Sequence, residues 1–163
     1  MECDVTFMWL GAFGVELAGD PASTGGWELH VVPEGGELFE YGTDLSWCNP
    51  HIDGGDPTSL VDDLYYTTYG LDYFQLAMAH DPPPAVYTVY VYNESIEAER
   101  VDGEWGNYQV EARVFMGGEL QLEARARILR GLVWEVGTID LHTMTFTEST
   151  APHFEPTGPT TCH

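Results

Sequence analysis

Apolar and polar side chains alternate with a period of two along most of this chain, the mark of pleated strands that turn one face inward. Val5 to Trp9 and Gly14 to Leu17 read as opening strands. Trp27 to Val32 (WELHVV) reads as a strand stopped by Pro33 and the turn Glu34-Gly35-Gly36, with Glu37 to Tyr41 (ELFEY) returning as its hairpin partner. Tyr73 to Met78 is again extended. Val86 to Tyr92 carries aromatic rings at 87, 90 and 92 and valines at 86, 89 and 91. Both of its faces are apolar, which places it in the middle of a sheet. Tyr108 to Met116 and Glu119 to Leu129 flank Gly117-Gly118 as a hairpin, and Leu132 to Leu141 closes the series. The second arm of that hairpin is rich in helix-forming residues. It nevertheless alternates strictly through Leu120, Leu122, Ala124, Ala126 and Ile128, and a strand is expected.

About eight or nine short strands with turn signals between them, and no convincing helix, predict an all-β fold. The expected architecture is a two-sheet antiparallel β-sandwich of jelly-roll or Greek-key type in a single domain over residues 1–145. Residues 146–163, rich in Thr and Pro, read as a C-terminal extension. Between the early and late strands, residues 42–69 form a long polar stretch, and loops of that length in a compact domain are usually functional.

Charge narrows the range of partners. The chain has 27 acidic residues and five basic ones, for a formal charge of -22, and all five basic residues are arginine. Nucleic acid is excluded as a partner, because no cationic surface exists to displace phosphate counterions. Anionic membrane surfaces are disfavoured for the same reason, and no stretch approaches the roughly 20 apolar residues of a membrane span. High-salt adaptation and solubility explain such acidity without a partner; cations or a basic protein are the specific alternatives.

Candidate chemistry gathers in the polar stretch. Asp53, Asp56, Asp62, Asp63 and Asp72 lie close together in sequence, with Glu28 able to approach from the WELHVV strand. Hard cations take six to eight oxygens, so these six residues are candidate ligands for Ca²⁺; the competing reading is a set of Asp-rich turns. Trp47, Tyr65, Tyr66, Tyr69 and Tyr73 surround the same acids, and aromatic rings beside carboxylates are a way to hold sugars. His30 reads as a packed polar residue on its strand rather than a metal ligand. Asn93-Glu94-Ser95 matches a glycosylation acceptor triplet. Of three cysteines, Cys3 and Cys162 form a candidate disulfide joining the ends, and the absence of a CxxC pair excludes a zinc ribbon. No nucleophile elbow or phosphate loop is present, and with 27 acids a pair of carboxylates carries no signal for glycoside hydrolysis.

WELHVV followed by PEGGELFEYG, then NPHIDGGDPTSLVDD at 49–63, AVYTVYVYNES at 85–95, YQVEARVFMGGELQLEARARIL at 108–129 and LVWEVGTIDL at 132–141 stand in a recognisable order. Over about residues 15–145 the chain resembles a bacterial extracellular β-sandwich family of unknown function, the YfaP-like domains, similar in style to pre-peptidase C-terminal domains. It departs from the pattern where Gly26 and Glu28 replace paired aspartates and where Val61 replaces an acid, so only part of any acidic ligand set is kept. The resemblance implies an extracellular or cell-surface location, with the periplasm as the alternative, although the chain opens without a signal-peptide pattern.

Together these readings predict a non-catalytic extracellular binding or assembly module, with Ca²⁺ as candidate stabilising ion. Expected partners are other protein subunits or cell-surface polysaccharide, and association into a homo-oligomer or filament. The alternative is a lectin-like carbohydrate-binding domain or a carbohydrate-active enzyme module.

Overall fold

The computed structural model describes residues 13–19, 26–40, 43–46, 64–65, 74–79, 85–94, 109–158 and 160. Nine strands occur among them: β1 (Phe13–Gly19), β2 (Trp27–Pro33), β3 (Leu64–Tyr65), β4 (Phe74–Ala79), β5 (Val86–Asn93), β6 (Gln109–Met116), β7 (Glu119–Arg127), β8 (Val133–Asp140) and β9 (Thr145–Glu148). They form two antiparallel sheets, a five-stranded sheet in the order β3-β4-β1-β6-β7 and a four-stranded sheet in the order β2-β5-β8-β9. The two pack face to face, and the sheets are open rather than joined into a barrel. Only β3–β4, β6–β7 and β8–β9 are neighbours in both sequence and sheet; every other connection crosses from one sheet to the other.

The alternation dictates which residues meet in the core. Phe13, Val15 and Leu17 of β1 and Val110, Ala112, Val114 and Met116 of β6 point inward from the larger sheet. Trp27, Leu29 and Val31 of β2, Tyr87, Val89 and Val91 of β5 and Trp134, Val136 and Ile139 of β8 face them from the other. Each fully buried aliphatic side chain is worth about 1.5–3 kcal/mol of transfer free energy, so this interface dominates the stability of the sandwich. A bulge keeps β8 productive along its length: Val89 pairs with Gly137 and Tyr90 with Glu135, leaving Val136 as the additional residue. The extra residue resets the pleat, so that Trp134, the inserted Val136 and, beyond the bulge, Ile139 all turn inward.

As expected, β5 sits in the middle of its sheet, between β2 and β8. Two expectations are corrected. Residues 37–40 do not return as a hairpin strand; β2 pairs with β5 instead, from Trp27↔Asn93 to Pro33↔Tyr87. On its other side β2 is bridged, among the described residues, by Leu45, through two bonds with Val31 of 2.9 and 3.0 Å. Phe39 takes a left-handed φ of 67°, which breaks the extended path that the alternation suggested. The Thr/Pro-rich segment expected as an extension from residue 146 supplies most of β9, which pairs with β8 from Gly137↔Glu148 to Asp140↔Thr145. Phe154 then bridges Val133 with bonds of 2.8 and 3.0 Å. The segment Val5 to Trp9 lies outside the described residues.

The outward face of the larger sheet is a ladder of alternating charge. Arg113 on β6 lies 3.8 Å from Glu16 on β1, 2.8 Å from Glu111 beside it and 3.1 Å from Glu123 on β7. Arg125 on β7 lies 2.6 Å from Glu111.

Candidate functional site: a buried histidine and carboxylate cluster

Glu28 and His30 alternate with the core-facing residues of β2 and therefore emerge on the opposite face of the smaller sheet. Unpaired there, they would meet water. Instead the chain after Pro33 folds back over them: Gly35 turns at φ 84°, Phe39 at φ 67°, and the Asp44 carboxylate arrives above the imidazole. Glu28 is 4% exposed, His30 2% and Asp44 2%. A charged group buried to this degree is tolerated only with a partner of opposite sign.

The partners are in place. His30 Nδ1 lies 2.7 Å from Asp44 Oδ2, and Nε2 lies 3.4 Å from Glu28 Oε2. The same Asp44 oxygen accepts the Phe39 backbone N–H at 2.6 Å, so one carboxylate holds both the ring and the turn. The Phe39 ring stands edge-on to the imidazole at 4.8 Å and to Tyr92 at 5.1 Å, closing the cluster from the side. Burial by itself pushes the imidazole towards its neutral form. The hydrogen bonds and negative charges of Asp44 and Glu28 outweigh burial and raise the His30 pKa from an ordinary 6.5 to about 9. His30 is therefore a cation at neutral pH.

Glu94, one residue beyond β5, extends the cluster. Burial first, and then a hydrogen bond to Glu28 with the repulsion of its charge, raise its carboxyl pKa to about 7. A carboxyl raised in this way by a neighbouring carboxylate shares a proton with it, so Glu94, Glu28, His30 and Asp44 behave as one linked set. Chemically the set clamps residues 37–40 and 43–46 onto β2.

Glu28, expected among the calcium ligands, is placed by the structure against His30. Asp53, Asp56, Asp62, Asp63 and Asp72 lie outside the described residues, as do Trp47, Tyr66, Tyr69, Tyr73, Cys3 and Cys162. Tyr65 contributes to β3, where its backbone pairs with Leu76. His30 is packed, as read from its strand, and also ion-paired. Among the described residues no group of three or more His, Cys, Asp or Glu side chains is arranged to hold a metal ion, and no helix is long and apolar enough to cross a membrane. Asn93 of the acceptor triplet is fully buried, its side-chain amide donating to the Ile128 carbonyl at 2.9 Å, so a glycan has no access to it in the folded chain.

Asp44 was not singled out from the sequence. It lies 14 residues from His30 in a stretch whose polarity pointed to solvent. The usable signal was a strand histidine two residues from a glutamate, a pair that requires a further acid if it is buried. Comparisons with protein-family models, with curated proteins and with solved structures find no match to this chain.

Proposed function

We propose that this chain is a non-catalytic binding and assembly module that acts outside the cell by presenting the surface of its sandwich to protein subunits or to cell-surface polysaccharide. The observation that carries the reading is where the ionisable chemistry lies. Among the described residues, the histidine and carboxylates that meet one another are buried beneath residues 37–40 and 43–46, where they hold the fold together. Catalysis needs such groups within hydrogen-bond reach of a substrate. What the described surface offers instead is a charged sheet face ending in a long exposed strand. The resemblance to extracellular sandwich domains agrees with this role, and Ca²⁺ bound through the acids at 53–72 is the stabilising ion that goes with it.

The test is incubation with immobilised polysaccharides and with purified surface-layer or fibre subunits, reading retention and chemical turnover in parallel. Retention without release of sugar is the expected result. Release of reducing ends, abolished by heat inactivation of the protein, would overturn the proposal.

A further inference from the structure

The four outermost strands differ in how they end their sheets. β3 has two residues and β9 has four. β2 has seven, but Leu45 bridges its midpoint. β7 has nine, pairs with β6 on one side, and among the described residues meets nothing on the other. Edges of this length are normally blunted by proline, charged side chains, bulges or coverage. β7 has no proline, and its charges are of both signs, so they favour a second strand of matching register instead of excluding every one. Its single irregularity is a bulge at Gln121, between the pairs Val114↔Leu122 and Phe115↔Leu120, which leaves Leu122–Arg127 a regular ribbon.

From this edge we infer that β7 pairs antiparallel with β7 of a second copy of the chain, across a two-fold axis at Ala124, to join two five-stranded sheets into one. The inference rests on the assembly reading and names its partner. Three observations carry it. The first is charge. Two copies that each carry -22 repel one another, yet the β6–β7 hairpin is locally neutral, with Glu111, Glu119 and Glu123 balanced by Arg113, Arg125 and Arg127. Three of the chain's five basic residues are concentrated here.

The second is register. Residues opposite one another across an antiparallel pair share a face. On the regular part of β7, Glu123, Arg125 and Arg127 are exposed and Leu122, Ala124 and Ala126 are half-buried. A centre at Glu123 would oppose two glutamates, and a centre at Arg125 would oppose two arginines. A centre at Ala124 sets Glu123 against Arg125 of the second copy, twice, with Leu122 against Ala126 on the inner face. Charge therefore selects one register.

The third is the ladder on the outer face. Glu16, Arg113 and Glu123 alternate in sign across β1, β6 and β7 and stop at the edge. In the selected register the row continues with Arg125 and Glu111 of the second copy, and the alternation is unbroken. Arg125 is available for this, since its side chain remains 73% exposed despite its contact with Glu111.

The experiment is the mass of the full chain in solution by light scattering or sedimentation, for the wild type, for Glu123→Arg, for Arg125→Glu, and for an equimolar mixture of the two variants. The wild type is expected to show two copies at micromolar concentration, and each variant to weaken association by roughly tenfold or more, because like charges then face across the axis. Mixing the variants sets Arg against Glu at both positions and is expected to restore a pair. Melting curves confirm that each variant is folded. Hydrogen exchange on the wild type supplies a reading free of substitutions: β7 amides are expected to slow as concentration rises. A wild type that stays at one copy, a mixture that stays at one copy, or a pair untouched by both substitutions overturns the inference. Any of these leaves the binding-module proposal standing, since that proposal fails on substrate turnover and not on mass.

Discussion

His30→Gln removes the one cation from the buried cluster and keeps a polar side chain of similar reach. The native protein holds the imidazolium proton up to about pH 9, whereas the unfolded chain releases it near 6.5. Between these values the folded state binds the extra proton, so unfolding free energy falls as pH rises. The stabilisation is complete below 6.5 and gone above about 9. At about 1.4 kcal/mol per pH unit, that interval corresponds to roughly 3 kcal/mol. Glu94 acts in the same direction on the acid side: its raised carboxyl contributes stability below 4.5 that is lost as pH climbs through about 7. Wild-type stability should therefore decline from mildly acidic to alkaline pH. In the variant, Asp44 and Glu28 remain buried without their cation, at a cost of about 3–5 kcal/mol near pH 6.5. Urea unfolding followed by tryptophan fluorescence, with Trp27 and Trp134 buried in the core, gives both stabilities at each pH. The difference between the two proteins should narrow by roughly 3 kcal/mol from pH 6.5 to 10, since most other titrations cancel in the comparison. Parallel curves over that range, or an imidazole NMR titration in the wild type with its midpoint at or below 6.5, would refute the reasoning.

Gly137→Ala should detach β9. A Cβ at 137 would strike the Thr147 carbonyl oxygen and approach Phe146 Cζ to 2.6 Å. A loss of about 1–3 kcal/mol is expected, with faster hydrogen exchange at Thr145–Glu148 while the β6–β7 amides are unchanged. Asn93→Ala deletes the bond to the Ile128 carbonyl and should cost about 1–3 kcal/mol in urea unfolding, with the amides of Gly131 and Leu132 losing protection first. Calcium binding through Asp53, Asp56, Asp62, Asp63 and Asp72 predicts a higher melting temperature with millimolar Ca²⁺ than with EDTA, equivalent to roughly 2.7 kcal/mol at a hundredfold excess over Kd. Identical melts in the two conditions would remove the ion from the proposal.

The strands from 86 to 140 were legible because each declares itself locally. Valines and aromatic rings alternate in β5, β6 alternates apolar with charged residues, and Gly117-Gly118 marks the turn to β7. ELFEY misled because it alternates in the same way. The decisive influence on it is not local: the Phe39 N–H goes to the Asp44 carboxylate, and the edge of β2 it would have joined is taken by Leu45. The tail misled in the opposite sense. Its prolines at 152 and 156 suggested a linker, but Thr145–Glu148 precedes them, and Gly137 leaves the space on β8 that Phe146 and Thr147 fill. The buried cluster was half legible. Glu28 and His30 sit on one face of a visible strand, but their partners Asp44 and Glu94 come from other parts of the chain, and no periodicity reports such a meeting.

Leu45 and Phe154 each contribute one bridging residue, and their effect is on how many neighbours a molecule can have. An edge interrupted by a paired residue leaves a shorter run of free N–H and C=O groups to template another chain. Among the described residues the smaller sheet is bridged at Val31 on its β2 side and ends on its other side in the four-residue β9, in whose row Phe154 pairs with Val133, so neither edge presents a run as long as β7. A two-fold contact through the larger sheet consumes the surface that makes it. Among the described residues β7 is thus the one long open edge along the hydrogen-bonding direction, and an association made through it ends at a pair instead of propagating as a fibre.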